Sequence, residues 1–148
     1  MLHSELIDNL NKLIQTHRDG KNGYLEAART VNNDTLASSF EDFAKQREQF
    51  ARTLTDVVVR LKGRPADEGT TPTDLDRGWM DVKSAFSNGG EDAILEACIR
   101  GEDTAIHNFR DVLRNPIPDG VIENVWDQYD TIKEIRDHLK SMQQVVTR

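Results

Sequence analysis

Four long segments of this chain place apolar residues at alternating steps of three and four. The first runs Leu6, Leu10, Leu13, His17, Gly20, Tyr24, Ala27, Val31. The second runs Leu36, Phe40, Phe43, Arg47, Phe50, Leu54, Val57, Leu61. The third runs Leu95, Cys98, Glu102, Ala105, Phe109, Val112, and the fourth Val121, Val125, Gln128, Ile132, Ile135, Leu139, Met142, Val146. At 3.6 residues per turn, such spacing gathers each set on one face of a helix. Four amphipathic faces bury one another most simply as an all-α bundle. Near the middle of three stripes stand His17, Arg47 and Glu102, so folding should bring them to one depth. Buried charge is costly unless paired. The layer is therefore either a structural ion-pair network or the remains of a chemical site.

The chain of 148 residues reads as one domain over 1–148, long enough to bury a core. Its formal charge of −7 argues against a nucleic-acid or anionic-membrane partner, because no basic stripe outweighs it. Cys98 is the single cysteine, which excludes an internal disulfide and any C-x-x-C site. Its place on the third stripe reads as a small buried hydrophobe. No segment approaches the ~18 apolar residues of a membrane span, and the first residues lack a secretory leader pattern. A reducing, cytoplasmic setting is expected.

Helix one is predicted from Ser4, an N-cap type, to Val31, with a turn at Asn32, Asn33 and Asp34. Helix two runs to Lys62 and ends at Gly63, with Pro65 beyond. Gly63 to Thr73 reads as loop. A short amphipathic helix follows from Asp74 to Ser87, carrying Leu75, Trp79, Val82 and Phe86. Helix three spans Glu91 to Arg114. After the break at Asn115 to Gly120, helix four starts near Pro118 or Asp119 and reaches Val146. The connection between helices two and three is nearly 30 residues long, against roughly two to five for a tight helical hairpin. It predicts two antiparallel hairpins joined by a long crossover carrying a short extra helix, the ferritin-like arrangement.

Di-iron bundles of that arrangement use Glu-x-x-His, because residues three apart share a helix face. The histidines here are His3, His17, His107 and His138, and none has Glu or Asp three residues before it. Other landmarks do match. Asp19-Gly20 with Gly23-Tyr24, Gln46-Arg47-x-x-Phe50, the run Arg77-Gly78-Trp79-Met80-Asp81-Val82-Lys83, and Glu96-Ala97-Cys98-x-Arg100-Gly101-Glu102-Asp103 together cover nearly the whole chain. In these the chain resembles an uncharacterised bacterial four-helix-bundle family, a domain of unknown function within the ferritin-like superfamily. The superfamily often sets a ligand Glu seven residues before a Tyr, and His17 stands in that relation to Tyr24. Its second helix ends in a corner similar to Leu61-Lys62-Gly63-Arg64-Pro65. The resemblance implies that Arg47 and Phe50 occupy the places of Glu and His ligands, and Ile132 and Ile135 those of helix four. Only Glu102 keeps a ligand type, and an arginine cannot ligate a metal. The resemblance thus implies a homodimeric bundle whose metal ligands are lost, with no cofactor.

Arg47 and Glu102 are expected to form a bidentate pair, either fixing helix register or anchoring an anion. Asp103 and Arg136 are expected to extend this network from its flanks. His17 reads as a core histidine bonded to the central acids or to Tyr129, against a metal-ligand or general-base reading. Gly20, Gly23 and Gly101 lie inside helices at about 1 kcal/mol each relative to Ala. They imply close approach by a helix or a bulky ring such as Trp79, or else a small cavity. Gly20, Tyr24, Trp79 and Tyr129 are the candidate pocket. Trp126 lies off the fourth stripe and points to the crossover or a partner subunit. His107 with Asp111, and His138 with Glu134, read as surface pairs. No phosphate loop, catalytic triad or zinc spacing is present. The functional reading is a non-catalytic bundle that binds a protein or small molecule, stress-related by analogy with neighbouring families. The alternative is a metal-binding or di-iron-type oxidoreductase rebuilt from His17, Glu26, Glu48, Glu102, Asp103 and His107. A bare structural scaffold is the third reading.

Overall fold

The structure, a computed structural model, describes residues 3–67, 79 and 90–147. Four helices form it: α1 (His3–Thr30), α2 (Asp34–Arg60), α3 (Glu91–Leu113) and α4 (Ile122–Thr147). No strand occurs among the described residues. The short helix expected over Asp74 to Ser87 lies outside them, apart from Trp79.

Side-chain contacts fix the helix directions. Lys21 of α1 pairs with Glu48 of α2, and Tyr24 meets Phe40, so α1 and α2 are antiparallel. Lys12 pairs with Asp111, Thr16 bonds Asn108 and Tyr24 bonds Glu102, so α3 is antiparallel to α1 as well. Helices α2 and α3 therefore run the same way. Tyr129 stacks on Phe109 while Gln143 bonds Glu96, which sets α4 antiparallel to α3. Going round the bundle, α1 has α2 and α3 as neighbours, and α4 closes the square by a lighter contact with α2.

The described residues between α2 and α3 meet α1 in order along its length. His3 Nε2 donates to the Leu61 carbonyl at 2.6 Å. Asn11 donates to the Arg64 carbonyl at 2.9 Å and accepts from the Ala66 N–H at 2.8 Å. Arg18 donates to the Ala66 carbonyl. Trp79 lies over Gly23, and Asn33, beyond the end of α1, donates to Glu91 at 3.0 Å. The connection thus starts at one end of the bundle and finishes at the other.

Local chemistry explains the helix ends. Asn33 caps α2 by accepting from the Leu36 N–H at 3.0 Å. Ser4, expected as the cap of helix one, stands one residue inside α1. At the end of α2 the expected glycine cap is corrected. Lys62 takes the left-handed conformation, with φ 62°. Lys62 N–H returns to Val59 and Gly63 N–H to Val58, a six-to-one closure. Gly63 is glycine for another reason: a Cβ there would sit 2.6 Å from Ile7 Cδ1. Helix α4 also begins later than expected. Gly120, with φ 88°, turns the chain after Pro118, and the helix starts only at Ile122.

The core divides in two. One apolar cluster holds Leu10, Leu13, Leu54, Val57, Phe109, Val112, Val125 and Ile132. The other holds Tyr24, Phe40, Leu36, Trp79, Leu95, Cys98, Ile135 and Leu139. In α1, α2 and α3 the crossing from one to the other falls at the residues that interrupt the apolar stripe, whereas in α4 it falls between Ile132 and Ile135, one turn beyond Gln128. Asn11, which satisfies two backbone groups of the connection at once, should matter more than its place on the surface implies. We expect Asn11→Ala to lower the unfolding free energy by about 1–2 kcal/mol, read as a shifted urea midpoint.

Candidate functional site

Between the two apolar clusters lie His17, Gly20, Arg47 and Glu102, and Gln128 reaches His17 from among Val125, Tyr129 and Ile132 of the first cluster. Arg47 and Glu102 are wholly buried, at 0% exposure. They stand on α2 and α3, which face each other across the bundle rather than side by side. The length of the arginine side chain makes the crossing feasible, and it passes α1 at Gly20. A Cβ on residue 20 would lie 2.6 Å from Arg47 Nη1, so a side chain there would have to displace the end of the guanidinium.

The expected fork-to-fork pairing is not formed. Arg47 Nη2 alone reaches both carboxylate oxygens of Glu102. Nε and Nη1 have no hydrogen-bond partner among the described residues, because the guanidinium enters past Gly20 and meets the carboxylate end-on. Tyr24 completes the carboxylate's shell, its hydroxyl donating to Glu102 Oε2 at 2.6 Å. The guanidinium carbon lies 5.9 Å from the centre of the Tyr24 ring. Charge in the layer is thus internally balanced.

His17 takes a partner that the sequence reading missed. Its Nε2 bonds Gln128 Oε1 of α4 at 2.7 Å, rather than the central acids or Tyr129. Gln128 donates from its amide nitrogen to the Phe50 carbonyl at 3.4 Å, which turns its oxygen toward the ring. His17 is therefore the Nε2–H tautomer. The imidazole lies 5.3 Å from the Phe50 ring and 5.4 Å from Phe109. Burial, with the Arg47 charge adding to it, holds its pKa down at about 3. The only hint of Gln128 in the sequence is its position in an otherwise apolar stripe.

Above the ion pair, the Trp79 ring is clasped by backbone. A Cβ on Gly23 would come within 2.1 Å of Trp79 Cε3, and one on Gly101 within 2.3 Å of Cε2. Tyr24 meets the indole edge-on at 5.0 Å. Cys98, wholly buried nearby, has its thiol pKa pushed up by burial and by Glu102. The same two causes raise Tyr24.

The remaining candidates lie elsewhere. Asp103 and Arg136 pair with each other at 3.2 Å on the surface and do not join the layer. Both sit a helix position away from the inward stripe. Tyr129 belongs to the other apolar cluster, against Phe109 and Trp126, with Arg110 bonded to its hydroxyl, so it does not join Tyr24 and Trp79. Trp126 is 45% exposed. His107 pairs with Asp111, Glu26 with Arg29, and Glu48 with Lys21 and Arg52. Among the described residues no three His, Cys, Asp or Glu side chains gather as a metal-binding group.

Chemically the layer is closed. Both Glu102 oxygens are engaged, and the guanidinium does not release a proton. The shifted groups, His17, Tyr24 and Cys98, are each driven away from neutral pH. A general acid or base works best with a pKa near the working pH, and none of these three has one.

Two expectations follow from this geometry. Arg47→Ala strands a buried carboxylate and should destabilise the protein by about 3 kcal/mol or more. Glu102→Ala should do likewise, whereas the Arg47→Met, Glu102→Leu double variant should lose less than the two single variants combined. Thermal and urea unfolding of all three check this. His17 gives a pH dependence of known sign. Its folded pKa lies below its unfolded value of about 6.5, so the unfolded chain binds the extra proton. The contribution is complete above pH ~6.5 and shrinks as pH falls toward 3, by about 1.4 kcal/mol per unit. Urea midpoints between pH 6.5 and 5 should fall in the wild type, and fall less steeply in His17→Gln.

Comparison with known proteins bears on the same residues. No curated protein matches the chain. A family described as a domain of unknown function, DUF2383, matches residues 5–115. That span holds α2, α3, nearly all of α1, and every residue of the Tyr24, Arg47, Trp79 and Glu102 cluster, but not Gln128. With 111 of its 148 residues matched, this chain belongs to the DUF2383 family.

Proposed function

We propose that this chain is a ferritin-like bundle in which an ion pair occupies the place of a metal centre, and which acts without catalysis by binding a protein or small-molecule partner. The ferritin-like assignment is supported by the parallel course of α2 and α3, and by the connection that meets α1 from His3 to the turn after Thr30. Such a topology needs the long crossover of that fold.

Glu102 carries the reading on the loss of metal. It is the acid that meets Arg47, and its oxygens are held by Arg47 and the Tyr24 hydroxyl. A di-metal centre needs several carboxylates and imidazoles converging on shared ions. Here the other positions at this depth hold the Arg47 guanidinium, the single imidazole of His17, which is bonded to Gln128, and the apolar Phe50, Ile132 and Ile135. The donor set does not fit two metal ions. The rebuilt-site alternative fares no better, since Glu26, Glu48, Asp103 and His107 each lie apart from Glu102 with surface ion-pair partners of their own.

On this reading the protein is a cytoplasmic homodimer, with Cys98 a buried thiol. Exposed apolar side chains at Leu25, Val59, Trp126 and Val145 are where contact with a second chain would begin. Metal analysis of protein purified from iron- and manganese-supplemented cells tests the reading. We expect well under one equivalent of either metal and a dimer by light scattering. Two equivalents of iron with oxo-bridge absorption would overturn it.

A further inference from the structure

We propose that Gly23 and Gly101 frame a preformed slot for a flat, neutral, fused-ring aromatic molecule, which this chain fills with its own Trp79. The slot's owners are α1 and α3, whereas its occupant comes from the connection between α2 and α3. Gly23 faces Trp79 Cε3, Cδ2 and Cζ3, and Gly101 faces Cε2, Cδ2 and Cζ2. The two backbones therefore hold the six-membered ring from either side of its fused bond. A side chain of any size on either residue would fill that space.

The third wall is Tyr24, and its position does not depend on Trp79. Its hydroxyl is bonded to Glu102, which is in turn tied to Arg47. The seam between α1 and α3 is also closed independently, by Lys12 with Asp111 and Thr16 with Asn108. Removing the indole leaves these contacts in place, so the walls stay at the separation that an aromatic ring needs. Rigid apolar cavities of this kind accept aromatic molecules of matching shape. The ligand is neutral because the charges beneath the slot already neutralise each other, leaving no counter-ion. Trp79, tethered close by, is present at high effective concentration, so a free ring binds the intact chain weakly. The slot holds irrespective of whether the bundle has lost a metal centre.

Free indole is the probe. The full-length Trp79→Gly chain should bind it one to one by calorimetry, at least tenfold more tightly than the wild type, with a saturable rise in Tm. Adding Gly23→Ala or Gly101→Ala to Trp79→Gly should abolish that binding while leaving the chain folded, since Ala favours helix over Gly. A folded Trp79→Gly chain that takes up no indole, or binding that survives both alanine substitutions, overturns the proposal. If Trp79→Gly does not fold, Gly23→Ala in a Trp126→Phe background decides. Displacement of the indole should shift the emission of Trp79, then the only tryptophan, to the red. Unchanged emission overturns the slot.

Discussion

A guanidinium and a carboxylate, both out of water, meet at the centre of this bundle, and the rest of the structure is arranged around them. Each ion loses several kcal/mol of hydration on burial, and their attraction offsets this only with good geometry and further hydrogen bonds. Tyr24 supplies one such bond. Because Arg47 and Glu102 come from opposite corners of the square, their contact links the two hairpins through the middle. A slide of one hairpin by a helical turn would separate the charges and leave both unpaired. The pair thus penalises wrong registers more strongly than apolar packing does, since leucine and valine tolerate exchange of neighbours.

Glycine makes this centre sterically possible. Gly20 lets the arginine pass α1, while Gly23 and Gly101 admit the indole to the backbone of two helices. Each lowers the helix propensity of its own segment, and each is matched by a bulky group seated against it. The polar layer and the aromatic seat are contiguous through Tyr24, whose ring meets Trp79 and whose hydroxyl holds Glu102.

The four helices were legible because amphipathic spacing is a property of a short stretch of chain, independent of its neighbours. The turn at Asn33, the ends of α2 and α3 to within a residue or two, and the polar interruptions at His17, Arg47 and Glu102 all follow from it. Less was legible where two local rules compete. Gly63 looks like a left-handed cap, but Lys62 adopts that conformation, and Ile7 is what excludes a side chain at 63. Asp119 is a good capping type, yet Gly120 turns the chain once more before α4 begins.

The amino-acid order alone determined that four helices would form, which face of each would be buried, and that charge would be trapped midway along them. Tertiary structure decided which atoms meet. Gln128 as the partner of His17, the end-on approach of Arg47, the separation of Asp103 and Arg136 from the layer, and the seat of Trp79 all depend on the relative shift and rotation of helices distant in sequence. Periodicity fixes a direction within one helix. Hydrogen bonding and close packing depend on tenths of an ångström between helices, and only the assembled fold supplies that.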